Sequence, residues 1–422
     1  MGQALDQGMQ IDRWIQYILR PYLILIFILT ALGSWQAFLT HSRWHMGDWL
    51  INYQGGFIRR GLLGEVLYQL SVYSSVSLGF YVFICLIFFN ALFLLFSFLL
   101  LKRQPFLSPY ILLIFSPFIF AFPINSVDHF ESIGGYFKDC IYYCVLAFIG
   151  WSAVRYQEKT FEKIYYFTLL CYPLLILTHE VFAVFLPYLV VVYLTKVKLD
   201  RKRVLLNLSL LSLSIISFVL CIVFKGNDIQ VTAIYNSLLT RYPVPINGSI
   251  GWLGAPMKIA MERVLIQIQS NSYFKIYGFI LLFSSIAFLP VMQQLKFIFK
   301  NKISLFLCLV ALIGTLALCC IAIDWGRFIR FNLVSLFILS LVGGALMPRK
   351  NEEIQSSHRF HSYRIYSLFY IGIFLFTLSY AFLWRIPSCC NYRPPISDFA
   401  TNNLIWAYQT YKKIIYEIVS SF

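Results

Sequence analysis

Long apolar runs separated by short polar breaks dominate the chain. A membrane-spanning helix needs about 20 predominantly apolar residues. Runs of that kind cover Pro21–Leu39, Val76–Leu101, Phe106–Pro123, Asp139–Val154, Val204–Phe224, Phe274–Met292, Ile303–Ile323, Phe331–Met347 and Ile365–Trp384. The stretch Ile164–Thr195 is too long for one comfortable span, and it is interrupted only by His179-Glu180 and by Pro173 and Pro187. Proline inside a helix removes a hydrogen bond and clashes with the preceding turn, so this stretch reads as two short spans meeting at His179-Glu180. The pattern predicts an all-α, polytopic membrane protein of about eleven transmembrane helices forming a single domain over 1–422. A first outer loop with an interfacial helix falls at 40–75 and a large outer loop at 225–273. The segment 385–422 reads as an outer tail, amphipathic over Leu404–Val419.

Composition sharpens this reading. Of the 422 residues 59% are hydrophobic and 12% charged, against about 45–50% and about 25% in soluble domains. That excludes soluble enzyme folds. The formal net charge of +16 superficially suits nucleic acid, but its distribution argues against such a partner. With the N-terminus in the cytoplasm, 19 of the 34 basic residues fall in six mostly short connections, among them Lys196–Arg203 and Lys296–Lys302. This is the positive-inside pattern, and the charge is then an orientation signal. The first span follows Arg13 and Arg20 without a small-residue cleavage site and is read as retained. The ten cysteines lie mostly in or near spans, and no C-x-x-C or H-E-x-x-H spacing occurs. Neither a metal nor a cofactor is therefore expected.

On this topology seven acidic residues are cytoplasmic and eleven lie outside, most of them beside apolar runs. Ionisable groups at such depth are costly unless paired or hydrated, which makes them functional candidates. Four constellations stand out. In Asn52-Tyr53-Gln54-Gly55-Gly56-Phe57-Ile58-Arg59-Arg60-Gly61-Leu62-Leu63-Gly64-Glu65, four glycines flank a double arginine. Glycine permits close backbone approach, and arginine offers a planar fork for phosphate or carboxylate. A surface helix over Leu62–Leu70 would begin beside it, with its N–H groups directed toward an anion. The alternative is an interfacial helix whose arginines snorkel to headgroups.

Asp324-Trp325-Gly326-Arg327 places Asp324 and Arg327 three apart, on one helical face, with Arg330 one turn further. This reads as a site or as a capping ion pair anchored by Trp325. His179-Glu180, isolated in apolar sequence, reads as a general base or as a polar turn. Asp128-His129-Phe130-Glu131, followed by Lys138-Asp139, reads as a polar loop feeding a charged pocket; as a metal site its spacing is nonspecific. The 225–273 loop adds Arg241-Tyr242-Pro243-Val244-Pro245 and Gly251-Trp252-Leu253-Gly254, suited to stacking on sugars, and a sequon-like Asn247-Gly248-Ser249.

All four constellations fall on the outer side. Together they describe an outward-facing cavity with arginines for an anion and Asp, Glu or His for proton transfer. Asp48, His179, Glu180 and Asp324 are the candidate catalytic groups. Arg59, Arg60, Asp128, Lys138, Arg241, Arg327 and Arg330 are the candidate binding groups. A lipid-linked sugar diphosphate, with an anionic leaving group and a hydroxyl acceptor, suits this set.

The glycine-flanked Arg59-Arg60, the His179-Glu180 pair and Asp324-Trp325-Gly326-Arg327 resemble patterns in Wzy-type O-antigen or capsule polymerases. The chain is also similar to them in length, span count and its one large outer loop. The resemblance implies polymerisation of undecaprenyl-pyrophosphate-linked repeat units at the periplasmic face of a bacterial inner membrane. It also implies membrane lipid and a chain-length regulator as partners. Arg241 departs from the arginine–gap–glycine spacing of some polymerases. Two other readings are a C-type glycosyltransferase using a polyprenyl-phosphate sugar, in which Asp48 would be the first-loop acid, and a flippase for lipid-linked sugars. Charges confined to one face count against the flippase.

Overall fold

The structure, a computed structural model, describes residues 2–125 and 137–348 and scattered positions between 372 and 389, with side chains described from Asp12 onward. Among the described residues the fold is all-helical. The helices are α1 (Gly2–Leu39), α2 (His45–Trp49), α3 (Gly61–Ser74), α4 (Leu78–Leu101), α5 (Ile111–Ile114), α6 (Phe122–Asn125), α7 (Asp139–Arg155), α8 (Glu158–Thr178), α9 (Phe182–Lys196), α10 (Arg201–Val223), α11 (Asp228–Leu238), α12 (Met257–Ser270), α13 (Tyr273–Phe288), α14 (Met292–Phe299), α15 (Lys302–Ile321) and α16 (Trp325–Leu346). Among the described residues, seven helical segments are long and apolar enough to cross a membrane: Asp12–Leu39, Leu78–Leu101, Glu158–Thr178, Arg201–Val223, Tyr273–Phe299, Lys302–Ile321 and Trp325–Leu346. The 15-residue α9 and 17-residue α7 are shorter apolar helices packed among them.

The outermost helices expose apolar side chains, as a bilayer requires. Leu205, Leu208, Ile215, Ile216 and Ile222 line the free face of α10, and Leu305, Phe306, Ile313 and Leu316 that of α15. The centre is α16, buried over 78% of its most apolar window where the other spans reach 22–33%. Around it pack α7, α9, α13, α14 and α15, while α10 covers α8 and α1 covers α4. Apolar burial drives little helix association in lipid; close packing and interhelical hydrogen bonds do more. Both are present. Tyr188 donates to Asn332 Oδ1 at 2.7 Å, Asn332 Nδ2 donates to Thr315 at 2.8 Å, and Tyr142 bonds Ser335 at 2.8 Å. The rings of Phe185 and Phe331 stack at 4.4 Å.

Three expectations change. The apolar run at Phe106–Pro123 is not a continuous helix: a 3₁₀ turn at Ser108–Tyr110 leads into the four-residue α5, then irregular chain up to α6. Pro109, Pro117 and Pro123 punctuate it. It nonetheless runs deep. Tyr110 donates to Ser340 O, while Phe118 O and Ile119 O accept from Arg330, levels about 15 Å apart along α16. Non-helical backbone at such depth is tolerated only inside protein, and Phe118, Ile119, Phe120 and Phe122 are buried. Second, the 225–273 loop contains α11 and the amphipathic α12, which exposes Met257, Met261 and Leu265. Third, the surface helix expected over Leu62–Leu70 extends over Gly61–Ser74. By contrast, Ile164–Thr195 divides into α8 and α9 at His179-Glu180-Val181, where the pattern places the break. The run Ile365–Trp384 and the tail Leu404–Val419 lie largely or wholly outside the described residues.

The first-loop glycines allow close contacts. A Cβ at Gly64 would stand 1.9 Å from Ile51 O, and one at Gly61 would stand 2.3 Å from the Tyr53 ring. Glu65 accepts from Tyr53 N at 2.8 Å and from the side-chain amides of Gln54 and Gln69, folding the loop onto α3.

Arg330 is the clamp on the broken segment. Nε and Nη2 donate to Phe118 O and Ile119 O, both at 3.1 Å, while Phe122 and Tyr143 cover the guanidinium. Arg330→Met leaves both carbonyls without these donors, at about 1–3 kcal/mol each. The expected result is a marked fall in the thermal midpoint of the purified protein in detergent, with Arg330→Lys intermediate. An unchanged midpoint for both variants would remove Arg330 from this role.

Candidate functional site

The ends of α8 and α15 and the starts of α3, α7, α9 and α16 meet at one end of the bundle, joined by the contacts described below. The lysine- and arginine-rich connections lie at the other, where Lys196 bonds the Ala153 and Tyr156 carbonyls and Arg203 pairs with Glu158 and Glu162. Such a partition follows from burial cost: charges at the first end lie within the helix packing and must find partners there.

The first pair is Arg60 with Glu180. Arg60 Nε donates to both carboxylate oxygens, at 3.0 and 2.8 Å, and Nη2 donates to Oε1 at 2.6 Å. Arg59 Nη1 reaches the same Oε1 at 3.5 Å. Arg60 Nη1 stands 3.8 Å from Asp48 Oδ1. Arg60 is the residue just before α3, with φ of 67°, a left-handed conformation that is unusual for a side-chain-bearing residue. Its carbonyl accepts from Lys138 Nζ at 3.0 Å, and Lys138 also donates to Thr178 O at 3.1 Å. One buried ammonium therefore ties the start of α3 to the end of α8 from the threshold of α7.

The second pair is Arg327 with Asp139. Nη2 and Nε donate to the two carboxylate oxygens at 2.7 and 3.1 Å, and Nη1 donates to Asp324 at 3.0 Å. The Phe137 ring lies 3.7 Å from the guanidinium carbon, a cation–π contact. Asp324 and Arg327 thus share a face as their spacing predicts. The stronger partner is Asp139, 188 positions away, which the sequence marks only as an acid opening a span.

Electrostatics follow from this geometry. Burial favours the neutral form of Asp48, but Lys138, His179 and Arg60 outweigh it and hold the carboxyl below its usual range. Glu180 is also held well below its range, by Arg60 and Arg59 against the cost of burial. Burial raises Asp324, with Arg327 opposing. It lowers Lys138 to about 8 and His179 to about 4. Asp48 Oδ2, Arg59 Nε and His179 Nε2 are buried without a hydrogen-bond partner. Because buried polar groups are almost always satisfied, three such atoms around one ion-pair network mark a place for a polar ligand or water.

Not all candidates join. Arg330 belongs to the clamp on Phe118-Ile119. Arg241 donates to Ser71 O at 3.2 Å and covers the Tyr68 ring, toward the far end of α3, about 16 Å from Arg60 by helical rise. Asp128, His129 and Glu131 lie outside the described residues. Among the described residues no group of three or more His, Cys, Asp or Glu side chains is arranged to hold a metal ion. The site and fold together define a polytopic, all-helical membrane protein with a buried charge network at one end. No protein-family model, curated protein or solved structure matches the chain.

His179 gives the site a pH signature. Its unfolded-state value is near 6.5 and its folded value about 4. Between these the unfolded chain binds a proton that the folded protein excludes, so this group's contribution to stability falls as pH drops from 6.5 toward 4 and is level above 6.5. The thermal midpoint of His179→Gln is expected to depend less on pH across that window than that of the unsubstituted protein. Equal slopes would exclude His179 as the titrating group.

Proposed function

We propose that the protein transfers glycosyl groups from a polyprenyl-linked donor, polymerising undecaprenyl-pyrophosphate-linked repeat units into surface polysaccharide at the outer face of a bacterial inner membrane. The observation that carries the reading is the network itself. Two adjacent arginines and an open carboxylate oxygen sit within one buried cluster, at the end of the bundle remote from the basic connections. Arg59 and Arg60 stabilise the charge that develops on the departing pyrophosphate. Asp48, ionised and with Oδ2 unpartnered, takes the proton of the acceptor hydroxyl. Glu180 is less suited to that task because the Arg60 fork holds it. His179 accepts at Nδ1 from Val181 N–H at 3.3 Å, which leaves its proton on Nε2 and makes it a donor. Lys138 and the Arg327–Asp139 pair position the arginine loop.

A second reading is favoured by Asp48 in particular. An acid in the first loop after span one is the feature the chain shares with C-type transferases that move a single sugar from a polyprenyl phosphate. The two readings use the same residues and differ in what is transferred.

Gene deletion followed by gel and mass analysis of surface glycan separates them. A ladder that collapses to one repeat unit supports polymerisation. A mass shift within one unit identifies single-sugar transfer, and lipid-linked units trapped inside identify a flippase. Asp48→Asn, Arg59→Ala, Arg60→Ala and Arg327→Ala are each expected to reduce product per unit of protein in the membrane about 100-fold or more. Full-length product from Asp48→Asn would overturn its assignment as the base.

A further inference from the structure

Three arginine N–H donors converge on the Glu180 carboxylate. Arg60 directs Nε and Nη2 at it and Arg59 adds Nη1, yet Arg59 Nε remains buried with nothing to donate to. The Nε2–H of His179, on the ring whose Nδ1 neighbours Glu180, is likewise buried and unpartnered, its tautomer set by the Val181 N–H on Nδ1. His179 Nδ1 lies 3.9 Å from Glu180 Oε2, so ring and carboxylate are immediate neighbours. At the adjoining start of α3 no side chain caps the first-turn N–H groups. A carboxylate brings one charge and two acceptor oxygens. A phosphate ester brings more acceptor oxygens and suits arginine forks and helix starts. Glu180 also sits on a connection of three residues between α8 and α9, and its side chain is 13% exposed against 2% for His179.

We propose that Glu180 holds the place of a phosphate oxyanion on Arg59 and Arg60. The incoming phosphate displaces the carboxylate, takes over the Arg60 fork, and accepts from Arg59 Nε and from the His179 Nε2–H. The other charges facing this spot are Asp48, 3.8 Å from Arg60 Nη1, and Lys138, bonded to the Arg60 carbonyl. Asp48 keeps its place, so the exchange is at Glu180 alone. This inference rests on the donor being phosphate-linked. It goes further in making Glu180 a built-in competitor and His179 an anion donor.

The test is binding rather than turnover. Purified protein in phosphatidylcholine nanodiscs is titrated with inorganic pyrophosphate by calorimetry. If the site is open one-tenth of the time or less, removing the competitor tightens apparent binding by about tenfold or more. Glu180→Gln is therefore expected to bind more tightly than the unsubstituted protein. Arg60→Ala should lose binding, and Arg60→Ala/Glu180→Gln should be no better than Arg60→Ala. Equal or weaker binding by Glu180→Gln both to this probe and to a phosphate-bearing lipid overturns the proposal. Should that variant fail to accumulate, Glu180→Asp, whose shorter side chain reaches Arg60 less well, is expected to shift binding in the same direction, and no shift with either probe overturns the proposal equally.

A parallel arm places undecaprenyl phosphate in the nanodisc and reads the thermal midpoint. Tightening by Glu180→Gln in that arm alone assigns the lipid headgroup, and tightening in both assigns the phosphate itself. Tightening in neither overturns the proposal. An unchanged glycan ladder on gene deletion would refute the polymerase reading and leave these binding results standing.

Discussion

Burying a guanidinium is expensive unless it is paired and fully hydrogen-bonded, and the cluster end of this molecule is organised around that constraint. The Arg60–Glu180 pair joins the start of α3 to the α8–α9 break. Lys138 bonds carbonyls on both sides of that joint, and Arg327–Asp139 joins α16 to α7. Each contact links helices distant in sequence. In lipid-facing helices apolar packing gives little preference for one neighbour over another, so these directional pairs are well placed to set which helix ends meet. Arg60 makes the point locally. Its backbone adopts φ of 67°, and its fork, its carbonyl and the glycine after it are all engaged.

Arg330 applies the same rule to backbone. The irregular segment after α5 exposes carbonyls where water is scarce, and the nearest strong donor is on α16 one turn beyond Arg327. Arg327 and Arg330 therefore share a helix face but answer different debts of hydrogen bonding, one to carboxylates and one to carbonyls. Losing Arg327 would leave Asp139 without its fork, and losing Arg330 would leave the 118–119 carbonyls bare.

Much of this was legible in the sequence. Apolar runs located the long helices, because hydropathy over about 20 residues is a property of the segment itself. The His179-Glu180 pair located the α8–α9 break, whereas Pro173 and Pro187 lie inside α8 and α9. The glycines around Arg59-Arg60 signalled close approach, realised at Gly61 and Gly64, and spacing alone predicted Asp324–Arg327. The rest depended on partners that no local pattern names. Asp139 is the main partner of Arg327 across 188 positions. Phe106–Pro123 is apolar enough for a span, but its prolines and the Arg330 clamp hold it irregular. The connection at 225–273 hid two helices because amphipathic helices of 11 and 14 residues carry no long apolar run. Arg241 had the right chemistry and lies at the other end of α3, a matter of tertiary placement.

The charge balance of the cluster links binding to proton transfer. Among the described residues, Arg59, Arg60, Lys138 and Arg327 face Asp48, Asp139, Glu180 and Asp324, four cations against four acids. Such a set is stable when no ligand is bound because it is close to neutral. On the proposed function, a phosphate entering on Arg59 and Arg60 adds negative charge beside Asp48 and takes the Arg60 fork from Glu180. Lys138, His179 and Arg60 hold the Asp48 carboxyl low against burial. Weakening that hold raises the proton affinity of Asp48 as the donor binds. On the proposed function, the base therefore strengthens when the leaving group is in place and stays weak, ionised and paired when it is not.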